Sequence, residues 1–334
     1  MSAAALRRVG TAALHWIESH RIHFRVSPAA DDLSLVRKVK PIAELGLACD
    51  LLLRAGCGSS FGAKFRTLPQ ELLASCWSEL DKGEHLRRLL LTYPDLFSLV
   101  TVYPPFRRAG FRNHALEGAI KSLSADPSLR ALEFPAWRLL DFAVALRAIC
   151  VRSPWQPRQE FGRTWLGQTP APWMLSDSAA YSLTHTVFYM TDFGFNPGGL
   201  PSRARAYVSR WVPVWSRYYA SVQNLDLLGE MLMVGYCLGV NTLAEPLRKL
   251  VDGQREDGAI PGPEAIAVGL GMDRGRRSAR ERFALDYHTT VVALMTSVLG
   301  LRLASGRPKP PRQGRKSAVR PRHENGGASR GSRS

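Results

Sequence analysis

The chain has 334 residues, with 45 Lys+Arg against 28 Asp+Glu, a formal charge of +17 and 45% apolar residues. These ordinary apolar and charged fractions exclude a wholly disordered, a collagen-like or a disulfide-framework protein. The length fits one large domain or two small ones.

Helical periodicity dominates from the start. Leu6, Val9, Ala13, Trp16 and Ile17 recur every three or four positions, which predicts an amphipathic helix over 3–23. Ser27-Pro28 ends it. Asp31 or Asp32 can cap the next helix, carrying Leu33, Val36, Val39 and then Leu45 to Leu53, with Pro41 expected to kink or divide it. Further helices are predicted near 69–80, 84–92, 111–124 and 135–151, punctuated by Gly83, Tyr93-Pro94, Tyr103-Pro-Pro105 and Asp126-Pro127. The Pro-, Gln- and Trp-rich stretch 152–173 reads as a long connection between helical halves 1–151 and 174–303. Four strong helices follow, about 176–192, 201–219, 224–239 and 280–303, with a short one near 243–252.

Period-two alternation is nearly absent. About a dozen helices, paired every 40–50 residues, predict an all-α fold of helical hairpins, as an open solenoid or as a partial or complete α/α toroid. No clean sequence repeat is visible, which weighs against the solenoid. The expected organisation is a single helical domain, 1–303, followed by a disordered basic tail, 304–334. Residues 305–334 hold nine Lys/Arg, one Glu and no aromatic residue. Such a tail is either simply solvated or meets acidic surfaces; without stacking rings it gives no support for specific nucleic-acid binding. Arg outnumbers Lys 37 to 8, which reads mainly as GC-rich coding and weakens any inference from overall charge.

The longest apolar run, Val291 to Leu301, has about half the roughly 20 residues of a membrane span, so it predicts a buried helix and no membrane crossing. Arg7, Arg8, His15 and Glu18 interrupt the first apolar stretch, which argues against a secretory signal. Five cysteines without a C-x-x-C pair fit free thiols in a reducing cytoplasm.

Three helices place polar groups where core is expected. On 176–192, with Asp177 as N-cap and Gly194 just past the end, Tyr181, His185, Tyr189 (or Phe188) and Asp192 fall at i, i+4, i+8 and i+11 on one face. The helix 224–239 is apolar nearly all round, and Asp226 and Glu230 are its only acids. Buried carboxylates are costly unless paired, hydrogen-bonded or bound to a cation. Asp286 and His288 open the apolar helix 280–303. If these helices are neighbours, the six ionisable groups converge. That arrangement suits metal-free acid/base chemistry, metal binding, or a purely structural cross-link in which Asp226 caps its own helix and Asp286 meets Arg282. Cys237 reads as a small buried hydrophobe.

Weaker signals are the turn Gln254-x-x-Asp257-Gly258, the turn Asn196-Pro-Gly-Gly-Leu-Pro201, and the basic loop Arg274-Gly-Arg-Arg277. Gly56-Cys-Gly-Ser-Ser-Phe-Gly-Ala-Lys-Phe lacks P-loop order, and no motif indicates a cofactor.

The opening Ala-Leu-His15-Trp-Ile-Glu-Ser-His-Arg, the central Tyr181-x-Leu-Thr-His185-x-x-Phe-Tyr-x-Thr-Asp192-Phe-Gly and the late Tyr287-His288-Thr-Thr resemble an actinobacterial family of uncharacterised function, the DUF6895 type. The resemblance spans most of 3–303. It implies a setting in natural-product biosynthesis, since its members often accompany such gene clusters. More distantly, the Gln254-x-x-Asp257-Gly258 turn and the hairpin spacing are similar to α/α-toroid enzymes, including lanthionine and terpenoid cyclases. The Asp-x-Asp-Asp acid motif and the zinc-binding Cys-His-Gly of those enzymes are missing.

The expectation is therefore a tailoring enzyme that cyclises or modifies a peptide intermediate by metal-independent acid/base catalysis. His185 is the expected base, oriented by Asp192 or another acid. His288 with Asp286 forms a second acid/base pair, and Tyr189 is a donor. Asp226, Glu230 and Tyr181 face the substrate, the two acids tuning pKa or holding an amine or cation. The alternative is a non-catalytic helical scaffold that binds a peptide or a biosynthetic partner.

Overall fold

The computed structural model describes residues 2–27, 31–269 and 278–306. The expected disordered tail beyond Gly306 and the Arg274–Arg277 loop lie outside them. The described residues form fifteen α-helices and eight short 3-10 segments, with no strand, so the fold is all-α.

The helices are α1 (Ala3–Ser19), α2 (Asp32–Ala55), α3 (Leu68–Glu79), α4 (Glu84–Thr92), α5 (Tyr103–Arg108), α6 (His114–Ala125), α7 (Ala136–Ala148), α8 (Pro157–Arg163), α9 (Trp165–Gln168), α10 (Asp177–Thr191), α11 (Ser202–Ser221), α12 (Leu225–Leu238), α13 (Ala244–Asp252), α14 (Pro263–Gly269) and α15 (Ala279–Ala304). Small polar residues start the helices that matter most. Ser176, Asn224 and Ser278 accept backbone N–H bonds at the heads of α10, α12 and α15, and Ser278 forms a capping box with Glu281. Ser176, not Asp177, caps α10; Asp177 instead accepts a bond from the Tyr219 hydroxyl at 3.2 Å.

Of the two expectations for Pro41, division does not occur: α2 runs through it for 24 residues. The stretch 152–173 holds α8, α9 and the start of a 3-10 turn, and α8 packs on α7.

Amphipathic stripes decide the packing. α12 is apolar all round and buried along nearly its whole length, with α10, α11, α13 and α15 around it. α15 packs on α1, α2, α12 and α14. It is the one described helix long and apolar enough to cross a membrane, yet 83% of its most apolar window is buried inside the protein, the position of a core helix. One hydrophobic core runs from Leu6 to Leu301 and joins both halves of the chain.

A closed circuit of packed helices results. α2 packs on α15, α15 on α12, α12 on α10 and α10 on α7; α7 returns to α2 through α5 and the 3-10 segment Pro94–Val102. The Gln254-x-x-Asp257-Gly258 turn pins this circuit to α1 and α15. Gln254 Nε2 donates to Val9 O (3.1 Å), and Arg255 Nη1 donates to Asp286 Oδ2 (2.6 Å). Gly258 has φ +94°, and a Cβ there would meet the Ala12 carbonyl oxygen at 2.3 Å, so only glycine lets the turn approach α1.

Candidate acid/base site

Tyr181, His185 and Tyr189 share one face of α10, as their spacing requires. The C-terminal turn of this helix lies close to α12: Gly194, at φ +78°, would put a Cβ 2.9 Å from Cys237 Cα. On α12, Asp226 and Glu230 are one turn apart and both buried. The Tyr181 hydroxyl donates to Asp226 Oδ2 at 2.6 Å, and Thr184 Oγ1 donates to Glu230 Oε2. His185 Nδ1 lies 3.8 Å from Glu230 Oε2 and 2.8 Å from the Tyr181 carbonyl oxygen. α15 adds His288. Its Nδ1 bonds Glu44 Oε2 of α2 at 2.9 Å, and its Nε2 lies 3.3 Å from Asp226 Oδ1. α10, α12, α15 and α2 therefore meet in one cluster.

α7 closes the far side. The Trp137 ring lies 4.9 Å from the His185 ring. The Arg138 guanidinium stacks over Trp137 at 4.4 Å and donates to Asp141 Oδ2 at 2.9 Å. Asp141 is buried and faces both His185 and Tyr189.

Burial sets the protonation states, and neighbours correct them. It pushes His185 down to about 4, and the nearby Asp141 offsets this only in part. It pushes Glu230 up to about 8, with the Asp226 charge adding to the rise. Burial alone would lower His288 too, but Glu44 and Asp226 on either side outweigh it and raise the group to about 9. Tyr189 and Tyr181 are held well above the usual phenol range by burial and by Asp141 and Asp226 respectively. Near neutral pH the cluster thus holds a neutral imidazole at 185, a protonated carboxyl at 230 and an imidazolium at 288. His185 and His288 still keep 26% and 31% of their side-chain surface accessible. The cluster is therefore strongly desolvated yet still reachable at its two imidazoles.

The cluster contains His185, His288, Asp226, Glu230, Tyr181 and Tyr189 of the expected residues. Asp192 and Asp286 are placed differently. α10 ends at Thr191, and Asp192 is its cap, with φ +48°, outside the helical phase that would have carried it over His185. Its carboxylate is held by Arg54, at 3.0 Å from Nη1. Asp286 stands two residues, about 200° of helical turn, from His288, and its carboxylate meets Arg255 instead. The arginines Arg54 and Arg255 are the partners described for these two carboxylates. Asp226 does not cap α12, since Asn224 does.

Glu44, Asp141, Trp137 and Thr184 were not among the expected site residues. Glu44 in Pro41-Ile-Ala-Glu-Leu-Gly and Asp141 in Leu139-Leu-Asp-Phe-Ala carry the same signal that marks Asp226 and Glu230, a lone acid inside an apolar helical run.

Cys237 is buried and its thiol is pushed up to about 12 by that burial, which suits packing and not nucleophilic attack. Among the described residues, no group of three or more His, Cys, Asp or Glu side chains is arranged to hold a metal ion.

A family model described as a domain of unknown function, DUF6895, matches residues 10–298. The chain belongs to the DUF6895 family. Every residue of the acid/base cluster, from Glu44 to His288, lies inside the matched span. No curated protein and no solved structure matches the chain.

Proposed function

We propose that this DUF6895 protein is a cytoplasmic tailoring enzyme of natural-product biosynthesis that moves a proton on a substrate enclosed by α2, α7, α10, α12 and α15. One observation carries the reading: His185 and Glu230 lie 3.8 Å apart, and burial drives the imidazole and the carboxyl in opposite directions. Paired groups whose environments separate their pKa values are the usual means of running base and acid chemistry at one pH. Neutral His185 takes the substrate proton. Glu230, hydrogen-bonded by Thr184, gives one. The His288 imidazolium is fixed by Glu44 and Asp226 and supplies positive charge; Tyr181 and Tyr189 line the approach. Cyclisation or modification of a peptide intermediate fits this metal-independent chemistry, and the closed helix circuit supports the α/α-toroid likeness behind it. The resemblance to a family that accompanies natural-product gene clusters supports the biosynthetic setting.

A non-catalytic scaffold is the second reading. It draws on His288, whose two nitrogens tie α15 to α2 and α12 as a structural cross-link would.

Metabolite profiles of a native host lacking the gene separate the two. Restored wild type brings back the modified product, whereas His185→Ala and Glu230→Gln lose at least about a hundredfold of it with helical circular dichroism unchanged. Full product from both variants would rule out the catalytic reading.

A further inference from the structure

Among the described residues, ten large apolar side chains are exposed, and five of them lie on α11, at its cap, or on the turn packed against it. Val214, Tyr218 and Val222 are 48%, 53% and 50% exposed at i, i+4 and i+8 along one face. Trp173 and Met174, 84% and 63% exposed, directly follow the Pro170–Pro172 segment that α11 holds. Trp215 Nε1 donates to Pro172 O at 3.0 Å, and Tyr207 donates to Pro170 O at 2.6 Å. A contiguous apolar patch on a folded surface marks an interaction site. The opposite face of α11, with Val208, Val212 and Tyr219, is fully buried.

Along α11 itself the charge is of one sign, with Glu245 and Asp177 the acids at its border. Arg203, Arg210 and Arg217 recur every seven residues alongside Val214 and Tyr218, all three are exposed, and α11 contains no acidic residue. Arg217 reaches Glu245 only at 3.8 Å. A second copy related by a two-fold axis would set this arginine row against itself. The chain beyond Gly306, with nine Lys/Arg and one Glu, would meet it with like charge. The apolar ridge is one residue wide and only half exposed, which suits a helix laid along it better than insertion into a bilayer.

We propose that the exposed face of α11, with Trp173 and Met174, docks an amphipathic helix of a partner protein whose apolar stripe is bordered by Asp and Glu. The patch lies outside the acid/base cluster and is independent of its reading.

The test places a photo-crosslinking phenylalanine analogue at Val214 of the full chain in its native host and maps the adduct. The expected adduct is a segment of another protein with two or more acids flanking apolar residues at helical spacing. The purified partner should bind wild type, with affinity weakened at least tenfold by Arg210→Glu with Arg217→Glu and by Val214→Glu with Tyr218→Glu, the fold being unchanged by circular dichroism. An adduct with a second copy of the chain, sedimentation of the chain with anionic phosphatidylglycerol vesicles, no adduct, or affinity insensitive to charge reversal would each overturn the proposal.

Discussion

His185 Nδ1 and Glu230 Oε2 lie 3.8 Å apart, and the same desolvation that strips the charge from the imidazole adds a proton to the carboxyl. The pair carries no net charge near neutral pH, so two helices can bury it without a counter-ion. This is the physical reason a base and an acid coexist in their working forms.

The pair sets how stability depends on pH. The folded pKa of Glu230, about 8, lies above its ordinary 4.5, so its stabilising effect is complete below pH 4.5 and is lost as pH rises through 8. That of His288, about 9 against 6.5, is lost on the same side, between pH 6.5 and 9. His185, at about 4 against 6.5, loses its contribution in the other direction, as pH falls from 6.5 to 4. Above pH 6.5 the first two act together and the third does not oppose them. Thermal melts should show Tm falling from pH 6.5 to 9, with a shallower fall in Glu230→Gln. A flat wild-type profile would contradict the assignment.

His288 is fixed by two carboxylates from different helices. His288→Ala leaves the buried Asp226 without its imidazolium and Glu44 with only the exposed Lys40 at 3.7 Å, and should cost about 3 kcal/mol. Urea denaturation at pH 6.5 measures this. A loss under about 1 kcal/mol would show that the imidazolium contributes little to holding α2, α12 and α15 together.

Asp192 gives the opposite expectation. It caps α10 in a left-handed conformation and pairs with Arg54. Asp192→Asn tolerates that backbone and leaves the acid/base pair intact, so it should support product formation in the host at nearly the wild-type level. Asp192→Val should lower Tm, because a β-branched residue is strained at φ +48°. Loss of product in a folded Asp192→Asn protein would return the residue to the site.

Gly258 tests the link between the turn and α1. Ala there combines φ +94° with a Cβ 2.3 Å from the Ala12 carbonyl oxygen. Gly258→Ala should destabilise by about 2 kcal/mol or more, read by the same denaturation. An unchanged midpoint would mean the turn does not bear on α1.

Much of the site was legible because helical geometry is local. A repeat of 3.6 residues places Tyr181, His185 and Tyr189 on one face without reference to the rest of the chain. Asp226 and Glu230 stood out because an apolar helix has no solvent for an acid. The same logic, extended to Glu44 and Asp141, would have found two more members. It failed at Asp192, because extrapolating i+11 assumes that the helix continues, and the chain leaves helical phase there. Asp286 lies about 200° around its helix from His288 and meets Arg255, a partner that spacing does not reveal.

The amino-acid order by itself determined the helices, their buried faces and which acids would need partners, since these follow from short-range periodicity and the cost of burying charge. Which partner each acid received was decided by tertiary packing alone. Glu44 and His288 are 244 positions apart, and only the seating of α2 on α15 brings them to 2.9 Å. The protonation states belong to the same level, because they depend on how much water the neighbouring helices exclude.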